Sequence, residues 1–169
     1  MSYRKTSYET KMNPLQKGLE VVSTAILLGM LIFVLVKFPQ LPDQIPKQYD
    51  LLGEISAWGR PRSILFVPIF CVVVYGVILF MMIFPSIWRM PKAVNREHQL
   101  YMQNVFIYML CLVKLETFGL AAYLTYCKAM LMNANTYVSL LVDLTLIATL
   151  VIGVYRLLKI PPQFKGYYR

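Results

Sequence analysis

The sequence predicts an all-α fold, a four-helix transmembrane bundle with a structured extracytoplasmic loop between helices 1 and 2. Three observations carry this. Apolar residues make up 58% of the 169-residue chain, above the roughly 45–50% of soluble domains. They gather into four runs, each close to the ~20 residues that a helix needs to cross a hydrocarbon core about 30 Å thick. Between the first two runs lies Gln40 to Arg62, QLPDQIPKQYDLLGEISAWGRPR, too rich in proline, glycine and charge to lie in lipid.

Residues 1–18 carry Arg4, Lys5, Lys11 and Lys17 and form a polar N-terminal tail. Leu19 to Phe38 is the first span: it exceeds the 7–15 residues of a signal-peptide core and lacks a small-residue cleavage site, so it stays as an anchor. Ser63 to Trp88 is the second, with Pro68 in its first turns, where a missing amide is tolerated, and Pro85 placed to break the helix near its end. Trp88 and Arg89 then read as an interfacial anchor. Met90 to Gln103 is expected as a polar connection at a membrane face, with His98, the only histidine, in solvent. Val105 to Tyr126 and Tyr137 to Leu158 are the third and fourth spans, and Pro161 to Arg169 is a short basic tail. No internal repeat is visible, so an inverted-repeat transporter is not signalled.

The net charge of +9 is scattered over the membrane flanks without a run of five or six bases. It therefore points to topology and anionic lipid rather than to nucleic acid. Eleven Lys and Arg residues flank the spans on the side of the two termini and five on the side of the Gln40 to Arg62 loop. The positive-inside bias then places both termini in the cytoplasm and the loop outside. Cys71, Cys111 and Cys127 lie in or near apolar runs, with no spacing suited to a disulfide framework or a zinc site, and read as packing residues.

Inside the spans, Lys114, Glu116 and Asp143 are the sharpest signals, because a charge near the bilayer centre costs roughly 2.5–3.5 kcal/mol on the lenient insertion scale. Lys114 and Glu116 are two positions apart, so on a helix they face different neighbours. A Lys114 to Asp143 contact needs offset helices or a lysine reaching along the axis. The plainer reading of the three is a structural ion pair or a snorkelling lysine; the sharper one is a polar cavity or ion path. In the loop, Asp43, Asp50 and Glu54 lack the ligand alternation of an EF-hand. No nucleophile and base pair, phosphate-binding loop or metal motif occurs. Neither an enzyme, nor a metal, nor a cofactor is expected.

The loop is long for a connection, and Pro42, Pro46 and Gly53 reduce the entropy lost on ordering it. Leu41, Ile45, Leu51, Leu52, Ile55 and Trp58 supply apolar anchors. It is expected as an ordered cap over the helix ends, with Tyr49 and Trp58 packed on those ends or held at headgroup level. Asp43, Gln48, Asp50 and Glu54 are then presented outward for recognition.

Leu41-Pro42, Ile45-Pro46, Tyr49, Gly53 and Trp58-Gly59 resemble the LPxxIPxHxNxxGxxxxWG pattern of the small membrane domain of unknown function at the N-terminus of SdpI-type immunity proteins. Gln48 stands where that pattern carries His, and Asp50 where it carries Asn. An Asn-containing stretch follows the second span in that family, and Asn95 and Asn104 stand in the matching region here. The resemblance covers roughly residues 20–115. It implies a multi-pass protein of the bacterial cell membrane that protects against a toxin peptide or signals its presence, with the loop as recognition surface. The rival readings are a small transporter or channel subunit using Glu116 and Asp143, and a structural subunit of a larger membrane complex. The partners expected are membrane lipid, a peptide toxin or another membrane protein, or a second copy of the chain.

Overall fold

The computed structural model describes residues 12–83 and 96–159. The expectations for the N-terminal tail up to Lys11, for Pro85, Trp88, Arg89 and Asn95, and for the tail from Pro161 lie outside these residues. Among the described residues four helices are long and apolar enough to cross a membrane, and the chain is a multi-pass membrane protein. Its helices are α1 (Pro14–Lys37), α2 (Phe66–Ile83), α3 (Arg96–Ala129) and α4 (Thr136–Leu158).

Helix α1 begins at Pro14 rather than at Leu19 because local chemistry favours an earlier start. Proline at the first helical position sacrifices an amide that has no helical partner anyway. The Asn13 amide donates to Gln16 Oε1 at 2.8 Å, and Gln16 Nε2 donates to the Asn104 carbonyl of α3 at 3.1 Å. The first turn is thus tied to a neighbour before the apolar run starts. Gln16, Ser23, Leu27, Met30 and Val34 form the buried stripe of α1 at helical spacing. Val21, Leu28, Ile32 and Leu35 face outward, as apolar side chains in contact with lipid should.

Between α1 and α2 the loop folds into an antiparallel hairpin, β1 (Ile45–Tyr49) with β2 (Ile55–Gly59), flanked by short 3-10 turns at Phe38–Gln40 and Pro61–Leu65. The fold is mostly helical as expected, and this two-stranded sheet is the addition. Proline is tolerated at Pro46 because a two-stranded ribbon consists only of edges. Ile45 pairs with Gly59 and Pro46 with Trp58, whereas the register shifts next to Lys47, which stands outside the pairing. Ile45 is fully buried against Val34 and Ile64 and pins the hairpin to the end of α1 and to the Pro61–Leu65 turn that leads into α2.

Helix α3 is the hub, packing on α1, α2 and α4. At about 1.5 Å per residue its 34 residues extend roughly 50 Å, longer than a hydrocarbon core. The segment expected to be a polar connection is helical from Arg96 onward, and His98 is buried in it rather than solvated. The polar turns continue the helix because they lean on the far end of the bundle, where Met102 and Gln103 are also buried. Helix α4 packs mainly on α3, and Gly153 is its only fully buried residue. The reason for glycine is steric, since a Cβ there would run into the Met109 side chain.

Candidate functional site

At the hairpin end, backbone groups from two loops close on each other. Asp50 starts the turn: its Oδ1 accepts from the Leu52 amide at 2.9 Å and the Glu54 amide at 2.8 Å, while its carbonyl accepts from the Gly53 amide at 3.1 Å. Gly53 follows with φ of 76°, a left-handed conformation that glycine adopts without strain. Its carbonyl accepts from the Ala134 amide at 2.8 Å, and a side chain at this position would collide with the Ala134 carbonyl. The Tyr49 hydroxyl donates to the Met132 carbonyl at 3.1 Å, and the Asn135 amide donates to the Tyr123 hydroxyl at 2.7 Å. The hairpin and the α3–α4 connection therefore form one cap. Burial, helped by the nearby Cys127 and Tyr123, pushes the Tyr49 phenol up to about 12.

Beneath the turn lies a cavity of about 370 Å³, walled by the hairpin and by the adjoining ends of α3 and α4. Gln48, Tyr49, Asp50 and Gly53 line it from the hairpin and Asp143 from α4. The same wall carries Lys47, Lys128 and Ser139. Two ammonium groups and two carboxylates around one concave space, with an amide and a hydroxyl between them, can engage a partner with donors and acceptors of both signs, as a polypeptide has. Asp50 also has a structural duty, since the turn uses its Oδ1. Asn in the resembled pattern supplies the same side-chain oxygen, so the exchange at this position preserves the turn. Asp43, Glu54 and Trp58 are solvent-exposed and lie outside the cavity, with Trp58 53% exposed.

The interior charges are placed elsewhere. Lys114 has no solvent exposure and forms an ion pair with Glu20 of α1, not with Asp143. The Tyr75 ring lies 5.3 Å from its ammonium, and Cys111 Sγ is 3.9 Å from Glu20 Oε2. Glu20 was hidden in the reading of the first run, because it sits at its very edge. Depth could have revealed it: at about 1.5 Å per residue Glu20 lies roughly 25 Å, and Lys114 roughly 22 Å, from the hairpin ends of their helices. Glu116 turns the other way and accepts from the Thr149 hydroxyl of α4 at 2.8 Å. Among the described residues no group of three or more His, Cys, Asp or Glu side chains could hold a metal ion.

Lys47, Lys128 and Ser139 escaped the sequence reading because nothing in their local context marks them. Lys47 enters the cavity wall from a bulged strand, and Lys128 and Ser139 do so from helix ends brought under the hairpin by the fold. A family profile described as a domain of unknown function, DUF1648, matches residues 25–72, from the middle of α1 through the hairpin into α2. Comparison with curated proteins and with solved structures finds no match in either.

Proposed function

We propose that this chain is a non-enzymatic protein of the bacterial cell membrane, with both termini in the cytoplasm, that recognises an extracytoplasmic peptide at its hairpin-capped end. The resemblance to SdpI-type immunity proteins supplies the class of partner, a membrane-active toxin peptide. The observation that carries the reading is the shared cavity: the hairpin residues Lys47 and Gln48 and the α4 residue Asp143 wall one space of about 370 Å³. Binding groups on a loop held by a rigid scaffold are the common arrangement for recognition. The match at residues 25–72 covers the whole hairpin and supports its being a recurring unit, although the matched domain is described as of unknown function. Glu116 and Asp143 line separate cavities, which weighs against a single ion path through both.

The test is protection. Toxin-sensitive cells producing the chain are exposed to the toxin peptide of an SdpI-type system, and the membrane potential is followed with a dye. Wild-type cells should hold their potential, and the charge reversals Lys47→Glu and Asp143→Lys should lose protection at unchanged protein abundance. Equal depolarisation with and without the chain refutes the reading. Orientation is tested separately by an impermeant thiol reagent on Gln48→Cys, with Cys71, Cys111 and Cys127 replaced. Reaction in intact cells is expected, and reaction only after lysis reverses the topology.

A further inference from the structure

At the end of the bundle away from the hairpin, a second and larger cavity of about 810 Å³ is walled by the start of α1, by α3 and by α4. It exists because α4 packs mainly on α3 and leaves a wedge beside α1. Val105, Met109, Leu112 and Ile152 give it apolar sides. Two polar atoms of its lining residues stand out. Glu116 Oε1 accepts from Thr149, but Glu116 Oε2 is buried and has no hydrogen-bond donor among the described residues. Asn104 Oδ1, on the same wall, is likewise buried without a donor. Both orphan atoms are acceptors, and an unmet buried acceptor is costly to leave so.

We propose that this cleft binds a hydrophobic amine: an apolar body against Met109, Leu112 and Ile152, with a protonated primary or secondary ammonium donating to the Glu116 carboxylate, which turns to meet it. The chemistry selects this class. An anionic head would meet the carboxylate as a like charge and offer it no donor, and a bare alkyl chain would leave Oε2 unmet. Arg156, the one cation on the wall among the described residues, is exposed and stands about 10 Å along α4 from Thr149, so it does not neutralise Glu116. The volume falls within the roughly 300–1,000 Å³ typical of drug-sized ligands. This site is separate from the hairpin cavity and does not depend on the function proposed for it.

The experiment uses the full chain in nanodiscs of zwitterionic lipid, titrated with monodansylcadaverine, a fluorophore carrying a primary ammonium on a short alkyl chain. Saturable, blue-shifted emission is expected, displaced by octylamine and not by octanol or octanoate. Glu116→Gln keeps an acceptor for Thr149 but removes the charge, and should weaken binding at least about tenfold, the loss of a charge-assisted hydrogen bond. Its melting temperature and elution volume report on folding. Ala148→Phe should also abolish binding by filling the wedge. The proposal is overturned by absence of saturable binding, by a folded Glu116→Gln that binds like wild type, or by octanol competing as well as octylamine. Displacement by phosphatidylglycerol but not by octylamine assigns the cleft to a lipid and overturns it too. If Glu116→Gln does not fold, the octylamine and octanol competition on wild-type protein decides.

Discussion

At the hairpin end, polar groups are satisfied against backbone: the Gly53 carbonyl by the Ala134 amide, the Tyr49 hydroxyl by the Met132 carbonyl, and the Asp50 carboxylate by the amides of its own turn. In the opposite half of the bundle they depend on side chains reaching between helices, Lys114 to Glu20 and Glu116 to Thr149. The cap therefore rests on conformation at a few positions, and Lys47, Gln48 and Asp143 line its cavity without carrying those bonds. The interior rests on charge, so that removing one member of the Lys114–Glu20 pair strands the other inside the bundle without its counter-charge.

The largest effect is expected from Lys114→Met. It leaves Glu20 uncompensated in the bundle and should cost about 3–5 kcal/mol, read as a fall in thermal or denaturant midpoint in detergent. The double change with Glu20→Gln should recover most of that loss. If the single and double variants are equally destabilised, the pair is not what holds α1 to α3. Next comes Gly53→Val, which forces a β-branched residue into left-handed backbone against the Ala134 carbonyl. A cost of about 1–3 kcal/mol is expected, together with protease sensitivity confined to the hairpin. Unchanged proteolysis would separate the turn from the cap.

A smaller effect is expected at Asp50. Alanine removes the acceptor for two turn amides and should cost about 1–2 kcal/mol, whereas asparagine keeps the oxygen and should stay within about 0.5 kcal/mol of wild type by the same melting assay. The smallest effect is a pH window. Tyr49 holds its proton in the folded cap up to about 12 but releases it near 10 when unfolded. Its contribution is thus fully present below about pH 10 and lost as the pH rises through about 12. Trp58 emission in a Trp88→Phe background should report loosening of the cap across that window, and Tyr49→Phe should reduce the dependence, the other tyrosines and the lysines supplying the remainder.

The four spans were legible in the chain because hydrophobicity is a local property of a run, and a bilayer demands about 20 such residues whatever they pack against. Pro42, Pro46 and Gly53 likewise marked an ordered loop, since their backbone preferences act without partners. The hairpin itself was less visible: IPKQY and ISAWG alternate poorly, and their pairing is shifted beside Lys47. The ends of α1 and α3 ran beyond the apolar runs because Gln16 and Asn104 meet across helices, a contact that no window of sequence contains. Which carboxylate Lys114 finds depends on how α1 and α3 are rotated about their axes, which the order of residues along one run does not disclose. The cavity under the hairpin gathers Lys47 and Asp143 from parts of the chain nearly a hundred residues apart. Composition determined that this protein lives in a membrane; only the rotation and docking of its helices decided where its charges meet and which of them line a cavity.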